Sequence, residues 1–396
     1  MRNLFGPKSV LGYCTNVHAG PTYALTLANL EAYAVSVRQL VCPDQQMGVG
    51  LWLAHEAASQ ILGGDRVLEF AQWLRDRDLI AFTINGFPYG NFHEKHVKHK
   101  VYHPEWCDGS RLNYTKNLAD ILVHLLPEDD KEGSISTLPI GWRESIAADD
   151  DKSFASAQNL IKLCDHLANI EDVTGKLIHV DLEPEPGCYL DTSQDVVDFF
   201  KDELFLLGNE HRIRRYLRVC HDVCHAAVMF EPQRTALENY KAHGIEVGKV
   251  QISSAVRAPF DKLDDHERIE ALEQLGEFRE ERYLHQTVAK ISGGHFFEDL
   301  PQAIAQFHGT PPPTVEWRTH FHVPLFLQKF GLLESTQDDV LRCLSIIGEL
   351  SECNHFEVET YAWSVLPAEL QVVGLVEGIA HEMKWVMQNA KPRHNP

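Results

Sequence analysis

Short β-prone runs alternate with helical patterns eight times along this 396-residue chain. The runs are Val10–Val17, Met47–Leu53, Leu79–Asn85, Ser134–Leu138, Leu177–Leu182, Leu217–Cys220, Val247–Ser253 and Phe356–Tyr361. Apolar residues at helical spacing fill the intervals, as with Leu25, Leu27, Leu30 and Tyr33 inside Tyr23–Leu40. Further helices are expected over Ala57–Arg75, Thr115–Leu126, Phe154–Ile170, Ser193–Leu206, Thr235–Ala242 and Pro367–Met387. A helix between two strands returns the chain to the same end of the sheet, so the strands run parallel. Eight such units in a chain of this length predict a closed (β/α)8 TIM barrel of the α/β class. An open doubly wound sheet is the alternative, and it would carry a glycine-rich phosphate turn after an early strand. Gly63-Gly64 sits at a helix end and Gly293-Gly294 lacks that fingerprint, so the barrel is preferred.

The stretch Arg257–Lys329 is too long for one loop and helix. It carries a charged helical segment (Asp264–His285), Gly293-Gly294-His295, the prolines Pro311–Pro313 and the strand-like Trp317–Phe326. Long insertions at the catalytic face of a barrel shape a site or a lid. We expect one barrel domain over residues 1–390, insertions at about 86–133 and 257–330, and a tail at 391–396.

Composition narrows the function. With 36 basic and 57 acidic side chains the formal charge is −21, which repels a phosphate backbone and argues against nucleic acid as the partner. A small molecule is the expected partner. The N-terminus lacks an apolar leader, no apolar run reaches the length of a membrane span, and the nine cysteines are scattered, so a cytoplasmic protein with reduced thiols is expected.

Strand ends carry the chemistry. In a barrel these ends converge on one face, and here they bring His18, Asn85, Glu183, Asp222, Gln251 and Glu359, with His225 just past the sixth strand. Asp222-x-x-His225 places a carboxylate oxygen and an imidazole nitrogen on one side of a cavity. Glu183, Asp222 and Glu359 aimed at one cavity repel one another, and a divalent cation relieves that most simply. The competing reading pairs Glu183 and Glu359 with Arg218, Arg257 and Arg318. His320 and His322 alternate in a strand-like segment and face the same way, which suits a shared metal or a phosphate. The expected metal ligands are therefore Glu183, Asp222, His225, His320, His322 and Glu359. Mixed carboxylate and imidazole donors admit Zn, Mn, Fe or Co. Glu185 reads as a solvated loop acid or a second ligand. The loop from Phe87 to His93, followed by Lys95, His96, Lys98, His99 and Lys100, is locally basic and reads either as a seat for an anionic group or as a solvated charge run. His18, Asn85, His93 and Gln251 are candidate substrate contacts. No G-x-S-x-G elbow, phosphate-loop motif or H-E-x-x-H is present.

Leu-Glu-Pro at Glu183, His-Asp-Val-Cys-His at Asp222 and His225, and Val-Glu-Thr at Glu359 resemble the xylose-isomerase-like TIM barrels. That superfamily includes sugar epimerases, sugar isomerases and endonuclease-IV-type repair enzymes. The resemblance implies metal acids at Glu183 and Glu359 with Asp222 between them, and Glu183 or Glu359 as the catalytic base. It implies substrate contacts at Arg257 and Arg318. The run Arg318–His322 looks like the loop that supplies an extra metal site in the repair enzymes. Gln251 departs from the pattern, because a metal-binding histidine is usual there. The segments GYCTNVHAG, FTINGFPYGNFH, ISTLPIGW, DLEPEPGC, RTHFHVPLF and EVETYAWSVLP resemble the EboE-type metabolite traffic proteins, which implies functional partners in a metabolite-traffic pathway.

Three functions follow as expectations. The first is a metal-dependent isomerase or epimerase acting on a small polyol, sugar-like molecule or secondary-metabolite precursor. The second is a non-catalytic binding protein with an altered site, and the third a metal-dependent phosphodiesterase.

Overall fold

The computed structural model describes residues 1–290, 294–307, 315–371 and 373–391. The expected features at Gly293, at Pro311–Pro313 and beyond Lys391 lie outside the described residues.

Eight parallel strands close into a barrel, and each predicted run supplies one of them. Leu79–Asn85 and Leu177–Leu182 are strands over the whole predicted range. The others are Val10–Cys14, Met47–Trp52, Glu132–Thr137, Leu217–Asp222, Val247–Ile252 and His355–Val358. The first strand stops at Cys14, and a 3-10 turn over Thr15–Val17 carries the chain to His18. Strand residues are buried on both faces, as the near-continuous apolar runs require. Helices lie between the strands. The predicted helix at Ala57–Arg75 is two, His55–Ile61 and Arg66–Arg75, separated where Gly64 takes φ +69°. That left-handed conformation suits glycine.

The barrel interior is polar at several levels. Lys249 Nζ lies 2.5 Å from Glu357 Oε2, with both side chains fully buried. His179 Nδ1 is 2.6 Å from Asp181 Oδ1, and Arg218 pairs with Glu132 at 2.8 Å. Gly50 is needed beside this layer, since a Cβ there would sit 1.3 Å from Glu357 Oε1.

The insertion after the seventh strand forms an antiparallel sheet of short strands. Trp317–Thr319 pairs with Val256–Ala258 on one side and Thr287–Ala289 on the other. The loop after the third strand ties into it, as Val97 and Lys98 donate their backbone N–H groups to the Arg282 carbonyl at 2.8 Å each. Both long connections therefore converge at the end of the barrel where the strand-end acids lie. Among the described residues no helix is long and apolar enough to cross a membrane.

Candidate metal centre

Asp222 ends the sixth strand and caps the short helix Val223–Val228. Its Oδ1 accepts from His225 N (3.0 Å) and Ser253 Oγ (2.6 Å), while its buried Oδ2 has no partner. Glu359 follows the eighth strand, and its Oε1 accepts from Asn16 Nδ2 (2.7 Å) and Asn85 Nδ2 (2.9 Å). Glu183 follows the fifth strand and keeps Oε2 buried without a partner. Carboxylate oxygens of Glu183, Asp222 and Glu359 lie within 4.8 Å of one another.

Three histidines face the same space in one tautomer. His225 Nδ1 is 2.9 Å from the Pro184 carbonyl and His322 Nδ1 is 2.8 Å from the Glu359 carbonyl. A carbonyl only accepts, so both Nδ1 atoms carry the proton. His320 Nδ1 is 2.9 Å from Gln286 Oε1. The Gln286 amide is oriented by Nε2 donating to Glu185 Oε1 (2.9 Å) and the Pro186 carbonyl (3.2 Å), which leaves Oε1 to accept from His320. All three Nε2 atoms therefore present lone pairs. His225 Nε2 and His320 Nε2 are 3.2 Å apart, and His322 Nε2 is buried without a partner. Anchoring Nδ1 on an oxygen is how proteins orient metal-bound imidazoles. Asp222, His225 and His322 form a second group of donors within 4.8 Å, and Glu185, His225 and His320 a third.

The electrostatics agree with an arrangement built for a cation. Burial, then the Glu359 and Asp222 charges, push Glu183 well above the usual carboxylate range. Burial, then Asp222 and Glu357, do the same to Glu359. Burial raises Asp222 as well, but His225, His322 and its hydrogen bonds outweigh it and the net shift is downward. Burial and His225 hold His320 well below the imidazole range, and burial lowers His322 to about 4. Neutral imidazoles beside mutually repelling carboxylates are the donor set of a borderline divalent ion.

The six predicted metal ligands are thus gathered. Arg218, Arg257 and Arg318 do not neutralise them. Arg218 pairs with Glu132. Arg257 faces Asp338 (2.5 Å), Glu316 (3.3 Å) and Asp339 (3.5 Å) in the insertion sheet. Arg318 bonds Glu316 (2.6 Å) and the Ala227 carbonyl (2.7 Å) and stacks over Phe230. Neither Arg257 nor Arg318 lines the pocket described below. Nor does His18, which stacks on Tyr33 and meets the Tyr13 hydroxyl at 3.1 Å. His93 stands one step back, with Nε2 at 2.6 Å from the carbonyl of Asn16. Asn85 reaches the pocket and holds Glu359. Gln251 pairs in register with Asp222 and is fully buried, with neither amide atom partnered. Glu185 is buried rather than solvated, and accepts from the Tyr102 hydroxyl at 2.8 Å. The lysines and histidines of the third-strand loop include close pairs with acids: Lys98 with Asp299, His99 with Glu298, Lys100 with Glu94. Gln286 and Asn16 escape sequence reasoning, since no motif marks a residue that acts by orienting another.

A pocket open to solvent lies over this cluster. Glu183, Glu185, His225, His320, His322 and Glu359 line its floor.

The sequence matches no protein-family model and no curated protein. Solved structures resemble the fold. A xylose isomerase-like TIM barrel protein from Mycobacterium smegmatis, in complex with magnesium, superposes with a TM-score of 0.53 at 11% identity over 96% of both chains. The probable 3-DHS dehydratase AsbF of Bacillus anthracis, involved in petrobactin synthesis, gives 0.46 at 10% identity over 96% of this chain and all (100%) of that one. A sugar phosphate isomerase/epimerase from Parabacteroides distasonis gives 0.44 at 10% identity over 96% and 94%. The fold is a closed (β/α)8 TIM barrel, similar to that of the M. smegmatis protein.

Proposed function

We propose that this protein is a metal-dependent enzyme of the isomerase or epimerase type, acting by proton transfer on a small oxygen-rich molecule. One observation carries the reading: three buried histidines anchored through Nδ1 keep Nε2 free to ligate, and their donor groups meet the Glu183, Asp222 and Glu359 group at Asp222, which lies within 4.8 Å of His225 and His322 donors. The magnesium in the similar M. smegmatis protein supports it. A divalent ion held by one of these donor groups, Glu183, Asp222 and Glu359 or Asp222, His225 and His322, would polarise a substrate oxygen. Zn, Mn, Fe and Co all fit such donors.

The chain's own groups supply the rest. Asn16 and Asn85 fix one oxygen of Glu359, so its other oxygen is the one directed to a ligand. Glu183 would hold the ion through one carboxylate oxygen and exchange a proton through the other with a carbon or hydroxyl placed above it. Tyr361 and Tyr283 line the pocket and limit water at the reacting end. The segment resemblance to EboE-type proteins supports a secondary-metabolite precursor as the substrate and a role in a metabolite-traffic pathway.

The test is solvent deuterium uptake, read by NMR, into a panel of α-hydroxy ketones, aldoses and polyol-derived ketones with zinc- or manganese-loaded protein. Uptake that disappears in Glu183→Gln is the expected result. Gln251, buried without partners where a ligand is expected, favours a second reading: a pocket that binds a metabolite without turning it over. Ligand binding with no deuterium uptake anywhere in the panel decides for that one.

A further inference from the structure

The floor of the pocket is polar, but its wall is not. Phe87 and Phe92 come from the loop after the third strand, Val97 and Val101 from the turn around Lys98–Tyr102, Leu284 from the insertion and Tyr361 from the end of the barrel. Three separate connections thus present apolar surface to one cavity. The wall is braced: Phe92 and Tyr283 each meet Tyr361 edge to face, at 5.5 and 5.0 Å between ring centroids. Histidines aside, Lys98 is the one basic residue in the lining, and its Nζ is 2.5 Å from Asp299 Oδ2. A phosphate or carboxylate tail would meet no unpaired lysine or arginine among the described lining residues, in a protein of charge −21.

We propose that the ligand is amphiphilic: a neutral oxygen-bearing head reaches the carboxylate and histidine floor, and an aliphatic or aromatic tail lies against Phe92, Val101 and Leu284. A sugar phosphate does not match this pocket. The head's seat rests on the metal-centre reading given above; the tail's seat rests on the wall alone.

Hydroxamates test both parts, because one chelating head can carry different tails. Binding of acetohydroxamate, butanohydroxamate, hexanohydroxamate and phosphoglycolohydroxamate to zinc-loaded protein is measured by calorimetry. Each buried methylene strengthens binding roughly threefold to fourfold. The expected result is that rise along the alkyl series, with phosphoglycolohydroxamate no tighter than acetohydroxamate, and a flattened series in Val101→Asp. A flat series in the wild type, or tightest binding by the phosphate-bearing probe, overturns the proposal. Should no hydroxamate bind, the metal-centre reading fails, and the neutral fluorophore prodan then tests the wall in chelator-treated protein. Blue-shifted emission that hexanol displaces and Val101→Asp abolishes upholds the apolar seat, and its absence overturns it.

Discussion

His225 and His320 meet Nε2 to Nε2 at 3.2 Å, each with its Nδ1 proton committed to an oxygen, the Pro184 carbonyl for one and the Gln286 side chain for the other. Two lone pairs at that separation repel. A proton between them would resolve it, but burial and the neighbouring imidazoles hold His320 well below its ordinary range. A cation in front of both resolves it without a proton.

Gln286 is then a metal-orienting residue that touches no metal. Gln286→Leu removes the acceptor for His320 and frees its ring. Zinc affinity, measured by competition with a chelating dye, is expected to fall about 10- to 100-fold with the circular dichroism unchanged. Unaltered affinity would show that His320 does not need the anchor.

The Lys249–Glu357 pair, which also acts electrostatically on Glu183 and Glu359, predicts a stability effect. Lys249→Met leaves the Glu357 charge buried alone and is expected to cost about 3–5 kcal/mol in urea unfolding. Adding Glu357→Leu should recover most of it. A single variant as stable as the wild type would contradict a stabilising buried pair.

Arg257 separates the geometry from the family resemblance. Its guanidinium faces Asp338, Glu316 and Asp339 rather than the pocket. Arg257→Ala should lower stability by about 1–3 kcal/mol through the unpaired acids. Zinc content and acetohydroxamate affinity should stay at the wild-type level. A loss of hydroxamate affinity in a stably folded variant would restore Arg257 as a ligand contact.

Glu382 gives a pH dependence with a definite sign. It is fully buried, accepts from Leu325 N, Thr360 Oγ1 and Trp363 Nε1, and burial raises it from 4.5 to about 7. The folded state therefore holds a proton that the unfolded chain has lost between those two values. This contribution to stability is full below about pH 4.5 and is lost as pH rises toward 7, by on the order of 3 kcal/mol. Urea midpoints across pH 5–8 should fall more steeply in the wild type than in Glu382→Gln. Equal slopes would contradict a protonated Glu382.

The barrel was legible because its signal is repeated: eight apolar runs and the helices between them each point to the same architecture. The strand-end acids and histidines were legible for the same reason, since a barrel sends every strand end to one face. Other features lack such a signal. The insertion sheet has strands such as Thr287–Ala289, too short to show alternation. Arg257 and Arg318 were expected as ligand contacts from the family resemblance, and no local pattern announces their pairing with Asp338, Asp339 and Glu316 in the insertion. His18 sits at a strand end, yet the 3-10 turn at Thr15–Val17 leads it to Tyr33. Asn16 and Gln286 act through Glu359 and His320, and only coordinates reveal such pairings.

The central claim is that Glu183, Asp222 and Glu359 with His225, His320 and His322 hold a divalent metal. Elemental analysis of protein equilibrated with zinc or manganese and then desalted measures this directly. The account predicts at least one metal per chain, with a sharp loss in Glu183→Gln, Asp222→Asn and His322→Ala while circular dichroism stays native. Metal content that is absent from the wild type, or unchanged in all three variants, would contradict it.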